Sequence, residues 1–183
     1  MAIADERLGP MALRLLDLGY KAPGAIEALV QMDAYPEYRQ LAIVDDDGHA
    51  AARTGTQNKD WSGHRTGDGY VVLGNYLTSE RTIDAMEAAF LADPDEDLEE
   101  RLLRAIEAGR DAGGQVGGQR SAALLVYDEK DFSRVNLRAD LHDEPVAELR
   151  RIFDIYRPAI PYYDQRQVDP RVPGLDEWLA GAR

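Results

Sequence analysis

Helical spacing of apolar residues opens the chain. Over residues 5–19, Met11, Leu15 and Leu18 fall on one face, Pro10 sits where a first turn tolerates it and Gly19 supplies a stop, which predicts a helix. Ile26, Leu29 and Val30 repeat the spacing over 22–33, and Pro36 closes the connection that follows. The rhythm then shortens. Residues 38–44 and 49–53 read as two strands joined by the tight turn Asp45-Asp46-Asp47-Gly48. After a glycine-rich stretch, 70–73 predicts a short strand. Thr78 or Ser79 is positioned to cap a helix running to residue 92, with Ile83, Met86 and Phe90 inward. Asp93 and Pro94 restart the chain into a helix whose apolar face is Leu98, Leu102, Ala105 and Ile106 and whose end is Gly113-Gly114. Residues 121–127, SAALLVY, predict a buried strand pairing with 134–139 across a polar turn, and 145–156 predicts a further helix.

Helix, helix, hairpin, strand, helix, helix, two strands, helix is the order of an α+β domain, in which segregated helices pack on largely antiparallel sheets. That domain is expected to occupy residues 1–156. From Arg157 onward, Pro158, Pro161, Pro170 and Pro173 are interspersed with Tyr162, Tyr163 and Trp178. Residues 157–183 are expected to form an extended strap across the domain or a neighbouring subunit.

Composition narrows the function classes. A length of 183 residues suits one core. A hydrophobic share of 44% spread through the chain argues for a globular protein. No run reaches the roughly 18 apolar residues of a membrane span, and the N-terminus has no basic region leading into an apolar core, so a cytoplasmic protein is expected. The chain has no cysteine, which removes disulfides, thiolate metal sites and a cysteine nucleophile together. A net charge of −13 opposes phosphate backbones and anionic lipid, so neither nucleic acid nor membrane is an expected partner. His49, His64 and His142 lack ligand spacing, and the DDDG turn lacks the alternating ligands and distal glutamate of a calcium loop. No metal and no other cofactor is expected.

The candidate chemistry lies in residues 54–77, TGTQNKDWSGHRTGDGYVVLGNYL, where Trp61, His64 and Asn75 stand among five glycines. Such a composition predicts polar side chains held by a tightly turning backbone. Gly55-Thr56, Trp61-Ser62-Gly63-His64 and Gly74-Asn75-Tyr76-Leu77 resemble, in the same order, motifs of an Ntn-hydrolase-like family known chiefly as a domain of unknown function. The resemblance extends over most of the chain. Leu8-Gly9-Pro10 is similar to the family's LGP helix start, and Gln40 to Asp45 to its QxxxVD strand. Residues 117–124 are similar to its GxQSAAL segment, with Arg120 where the family has Gln, and Leu137-Arg138-Ala139-Asp140 with Pro145, Glu148 and Leu149 to its LRVDDHxxPVxEL block.

That resemblance implies an αββα sandwich and hydrolysis of a small amide or other non-peptide C–N bond. In such enzymes an N-terminal Thr, Ser or Cys attacks while its own α-amine serves as base, and backbone donors with an Asn stabilise the oxyanion. Family members open with Met-Thr and two further strands, whereas here Met1-Ala2-Ile3 stands close to the LGP helix. Ala2 has no nucleophilic atom, so the N-terminal strands and the nucleophile are expected to be missing from this chain. An uncovered sheet edge would follow, and with it a homo-oligomer.

His64 and Asn75 are the candidate catalytic residues. Trp61, His64, Asn75, Gln119, Arg120 and Ser121 are the expected pocket for a small-molecule substrate or ligand. His64 suits acid–base work near neutral pH, against the plainer role of a hydrogen-bonded structural histidine. Asn75 suits an oxyanion donor, against a turn residue that tolerates left-handed geometry. Gln119-Arg120-Ser121 after paired glycines suits a carboxylate, against a linker entering a strand. Trp61 reads more simply as a core anchor than as a stacking platform. A triad built on Ser62 or Ser121 lacks the Gly-x-Ser-x-Gly elbow. The rival to the hydrolase is a non-catalytic, oligomeric ligand-binding or scaffold protein on the same fold.

Overall fold

The computed structural model describes residues 3–59 and 61–181. Ala2, the position at which the expected nucleophile would stand, lies outside the described residues. The chain forms two compact units, Met1–Ala92 with Ala108–Gly118, and Asp93–Glu107 with Gln119–Arg183. Among the described residues no helix is long and apolar enough to cross a membrane.

In the first unit α1 (Leu8–Asp17) and α2 (Ala22–Met32) precede a one-turn 3-10 helix at Pro36–Tyr38 and the hairpin β1 (Gln40–Val44) and β2 (Ala50–Thr54). The hairpin is antiparallel, with Gln40 opposite Thr54 and Val44 opposite Ala50. Leu8, Ala22, Ala25, Ile26, Leu29 and Ile43 close a common core between the two helices and this hairpin. Burial of these side chains is the main force holding α1 and α2 in place, because neither helix has a side-chain N-cap of its own. Pro23 falls in the first turn of α2, where its missing N–H costs nothing.

A second hairpin follows, β3 (Trp61–Gly67) and β4 (Tyr70–Leu77), so Trp61 and His64 stand on an extended strand where tight turning was expected, while residues 56–57 do turn. Within this hairpin the chain reverses at Asp68-Gly69, where Gly69 has φ of 75°. Gly63 and Gly67 serve packing within an extended strand. A Cβ on Gly63 would lie 2.6 Å from the Trp61 ring, and one on Gly67 would lie 2.2 Å from the Tyr70 ring. Aromatic rings therefore occupy the space that side chains would need, and the glycine pattern looks like a loop in sequence while being a strand in space. Tyr76, with φ of 57°, is the one non-glycine residue in left-handed conformation among those described. Its carbonyl accepts the N–H of Val116 at 2.9 Å, and Thr78 N–H donates to Gly114 at 3.0 Å. Thr78 is engaged there, and α3 (Arg81–Leu91) begins after Glu80 without the side-chain cap expected from Thr78 or Ser79.

Helix α4 (Leu98–Asp111) begins in the second unit and ends in the first. Within the second unit β5 (Ala122–Tyr127) and β6 (Ser133–Ala139) form a third antiparallel pair, and α5 (Pro145–Tyr156) packs against it. Leu103, Leu124, Val126, Val135, Leu149, Phe153 and Ile160 form the core. Strand β5 alternates between buried Leu124 and Val126 and exposed Leu125 and Tyr127, the period of a strand covered on one face.

The described residues of the expected extended strap, 157–181, form short helical turns instead. Arg157–Ala159 is a 3-10 turn, α6 spans Ile160–Arg166 and α7 spans Leu175–Gly181. Pro158 and Pro161 each sit in a first turn, so they start helices instead of breaking them. The aromatic residues pack on one another: Tyr156 and Tyr163 stack at 5.8 Å between centroids, and Tyr162 meets Trp178 edge-on at 5.8 Å.

Candidate functional site

Strand β1 begins with a polar residue, and that residue organises the candidate site. Gln40 extends its side chain over the β3–β4 hairpin, where Nε2 donates to Gly63 O at 3.0 Å, Gly74 O at 2.8 Å and Thr54 Oγ1 at 3.0 Å. Gly63 and Gly74 are register partners beside the irregularity between Trp61 and Gly63. Gln40 Oε1 accepts Asn75 Nδ2–H at 3.0 Å. Thr54 Oγ1 lies 2.9 Å from His64 Nδ1. His64, Thr54, Gln40 and Asn75 thus form one part-buried chain of hydrogen bonds drawn from β3, β2, β1 and β4.

Asn75 and Gln40 face a cleft of about 460 Å³, lined also by Ile3, Leu8, Leu41, Leu73 and Arg39. Trp61 and His64 are not among its lining residues; His64 connects to it only through Thr54 and Gln40. Trp61 rests on Gly63 as a packing anchor. Arg39 is buried and paired with Asp33, at 2.7 Å from Nε and 3.3 Å from Nη2, and its Nη1 donates to Ile3 O at 2.7 Å. The Arg39 guanidinium is the main cause that holds Asp33 below the usual carboxylate range. Asp5, also in the cleft wall, is held low chiefly by its hydrogen bonds from Arg7, at 2.6 Å and 2.9 Å. The charges in the wall are therefore matched internally.

Gln119, Arg120 and Ser121 belong to the second unit. Arg120 is exposed; its Nη1 donates to Asp143 at 3.1 Å and its carbonyl accepts His142 N–H at 3.0 Å. Both partners are open to solvent, and the pairing has the character of a surface ion pair.

Asp45, Asp47 and His49 bring potential ligand atoms within 4.8 Å of one another. The chemistry of the group is that of a turn. Both Asp45 oxygens accept backbone N–H groups, and Lys21 Nζ stands 2.6 Å from Asp47 and 3.1 Å from Asp46.

Gln40 and Thr54 were not singled out by reading the sequence for reactive residues. The signal was present: Gln40 is the one polar side chain in the strand QLAIV, in a segment that carries the family resemblance.

Helices combined with small antiparallel sheets place the chain in the mixed α/β class. Residues 1–149 match the model of a family of unknown function, DUF1028, and the chain belongs to that family. It is similar to the crystal structure of protein SPO2555 from Silicibacter pomeroyi, assigned to the same family model. The two share 33% sequence identity and a TM-score of 0.77, over 85% of this chain and 69% of that one. No curated protein matches the chain.

Proposed function

We propose that this protein is an Ntn-hydrolase-like domain that takes a small neutral amide, or another non-peptide C–N bond, in the cleft at Gln40 and Asn75. The observation that carries the reading is the Asn75 amide at the cleft, oriented by Gln40 at 3.0 Å. Hydrolysis of a C–N bond builds negative charge on the carbonyl oxygen, and a pre-oriented amide donor at that oxygen typically contributes about 10²–10³ in rate. The neutral class follows from the wall. Arg39 is paired with Asp33 and Asp5 with Arg7, so a charged ligand would gain no counter-ion there, while Ile3, Leu8, Leu41 and Leu73 suit a short apolar substituent. The αββα sandwich is part of the same proposal, supported by three antiparallel pairs with flanking helices and by the motif order.

A second reading is a non-catalytic, oligomeric ligand-binding protein. The described residues lining the cleft offer amide, guanidinium and carboxylate groups but no hydroxyl or thiol, a set suited to holding a ligand. Amine release from a panel of short aliphatic carboxamides and ureides, with binding followed by calorimetry, separates the two. Turnover that falls by about 10²-fold or more in Asn75→Ala supports the hydrolase. Binding without turnover supports the second reading, and neither binding nor turnover rejects both.

A further inference from the structure

We infer that Gln40 is the positioning residue of this site: it locks the Asn75 side chain in one orientation and joins it, through Thr54, to His64. The inference rests on the proposed function for its catalytic consequence only.

An amide side chain can ordinarily turn end for end, exchanging its oxygen and nitrogen at little cost. Gln40 lacks that freedom. Its Nε2 faces three acceptors, the carbonyls of Gly63 and Gly74 and the hydroxyl of Thr54, all within 3.0 Å. Turned over, Oε1 would confront two carbonyl oxygens at hydrogen-bond distance without a proton between them, which in a part-buried site is strongly unfavourable. The orientation of Gln40 is therefore dictated by backbone atoms of β3 and β4. With Nε2 fixed, Oε1 can only accept, and the group it meets is Asn75 Nδ2 at 3.0 Å. Asn75 must present its nitrogen to Gln40, so the second amide inherits its orientation from the first.

The same geometry sets the far end of the chain. Thr54 Oγ1 lies 3.0 Å from Gln40 Nε2 and 2.9 Å from His64 Nδ1, so one hydroxyl joins the imidazole to the amide. Four side chains from four strands are thus linked in one hydrogen-bonded chain, and Gln40 is the member that anchors it to the backbone.

Gln40→Met keeps length and volume while removing both functions of the amide. Side-chain amide signals of Asn75 and ring nitrogen signals of His64, read in ¹⁵N-edited spectra, should both move. If turnover has been found, kcat should fall by about 10-fold or more with little change in KM, because orientation matters most in the transition state. Thr54→Val should move the His64 signals and leave those of Asn75 in place. Asn75 signals unmoved in a folded Gln40→Met protein would overturn the inference, whether or not any amide is hydrolysed. Absence of turnover in the wild type, with the spectral shifts intact, would remove the hydrolase reading and leave the positioning role standing.

If Gln40→Met fails to fold, Asn75→Asp carries the test. A locked Gln40 meets the new carboxylate oxygen to oxygen, so the thermal midpoint should drop at neutral pH and recover as the carboxyl group is protonated. A variant as stable as the wild type at neutral pH would mean that Gln40 turns freely, and would overturn the inference.

Discussion

Asp45 Oδ2 accepts the backbone N–H of Ala22 at 2.9 Å, which makes a residue of the β1–β2 turn the cap of helix α2. Its other oxygen accepts Asp47 N–H at 3.1 Å and His49 N–H at 2.9 Å, so one carboxylate with a side chain only 1% exposed satisfies donors of both a helix start and a tight turn. Burial by itself would raise the Asp45 pKa, but the Ala22, His49 and Asp47 N–H donors outweigh it and hold the group below its ordinary value. A lowered folded-state pKa stabilises the fold fully above the ordinary value and loses that contribution as pH falls through the lowered one. Asp45→Ala should lower the thermal midpoint by several degrees at neutral pH. Asp45→Asn should give an intermediate loss and a shallower decline toward acid than the wild type, measured by melts followed through circular dichroism.

Glu37 predicts a second acid-sensitive contact. Its pKa is lowered from 4.5 to about 2, first by the Thr56 N–H, then by the Thr56 hydroxyl and the Arg53 guanidinium. The Thr56 bonds are 2.9 Å and 2.7 Å. The contribution is complete above 4.5 and disappears as pH falls toward 2. Glu37→Gln should therefore flatten the stability profile across that window, read as urea midpoints at stepped pH, and should free the 55–57 loop for faster amide exchange.

Gly55 is required by close approach of the backbone. A Cβ there would lie 2.3 Å from Glu37 O and 2.7 Å from Pro36 O, atoms that cannot move aside as a flexible side chain can. Gly55→Ala should cost about 2–3 kcal/mol in denaturant unfolding, the upper range of overpacking. Gly9→Ala is the control. That position lies in α1 with nothing within 4 Å of an added Cβ, and the change should stabilise by about 0.5–1 kcal/mol.

In the second unit Arg150 clasps two glutamates, Glu100 at 2.9 Å and 3.0 Å and Glu107 at 2.8 Å twice. Glu100 has a side chain 5% exposed, and its hydrogen bonds from Arg150 are the first cause of its lowered pKa. Removing one partner of a buried pair costs about 3–5 kcal/mol. Glu100 retains Arg104 at 2.9 Å and Arg157 at 3.2 Å, so Arg150→Met should cost less, about 2 kcal/mol, measured by urea unfolding. The cost should shrink as pH falls and Glu100 takes up a proton.

Elements with a strong local period were legible in the chain itself. Helix α5 spans the expected residues 145–156, and β5 and β6 begin and end within a residue of the expected strands. Local rules misled where a residue type serves two purposes. Glycines at 63 and 67 make room for Trp61 and Tyr70 inside a strand, and prolines at 158 and 161 open helical turns. Sequence alone does not separate a glycine needed for turning from one needed for packing.

Composition and periodicity determined that this is a mixed α/β chain with antiparallel hairpins, no cysteine chemistry and an acidic surface, because each of those properties is local or additive. The candidate site was decided by tertiary structure. Asn75 and His64 could be named as polar residues in an unusual segment, but what joins them is Gln40, 35 residues before Asn75, and Thr54, 10 residues before His64. A hydrogen bond depends on distance and direction between groups, and for residues so far apart in sequence those quantities exist only once the two hairpins have packed.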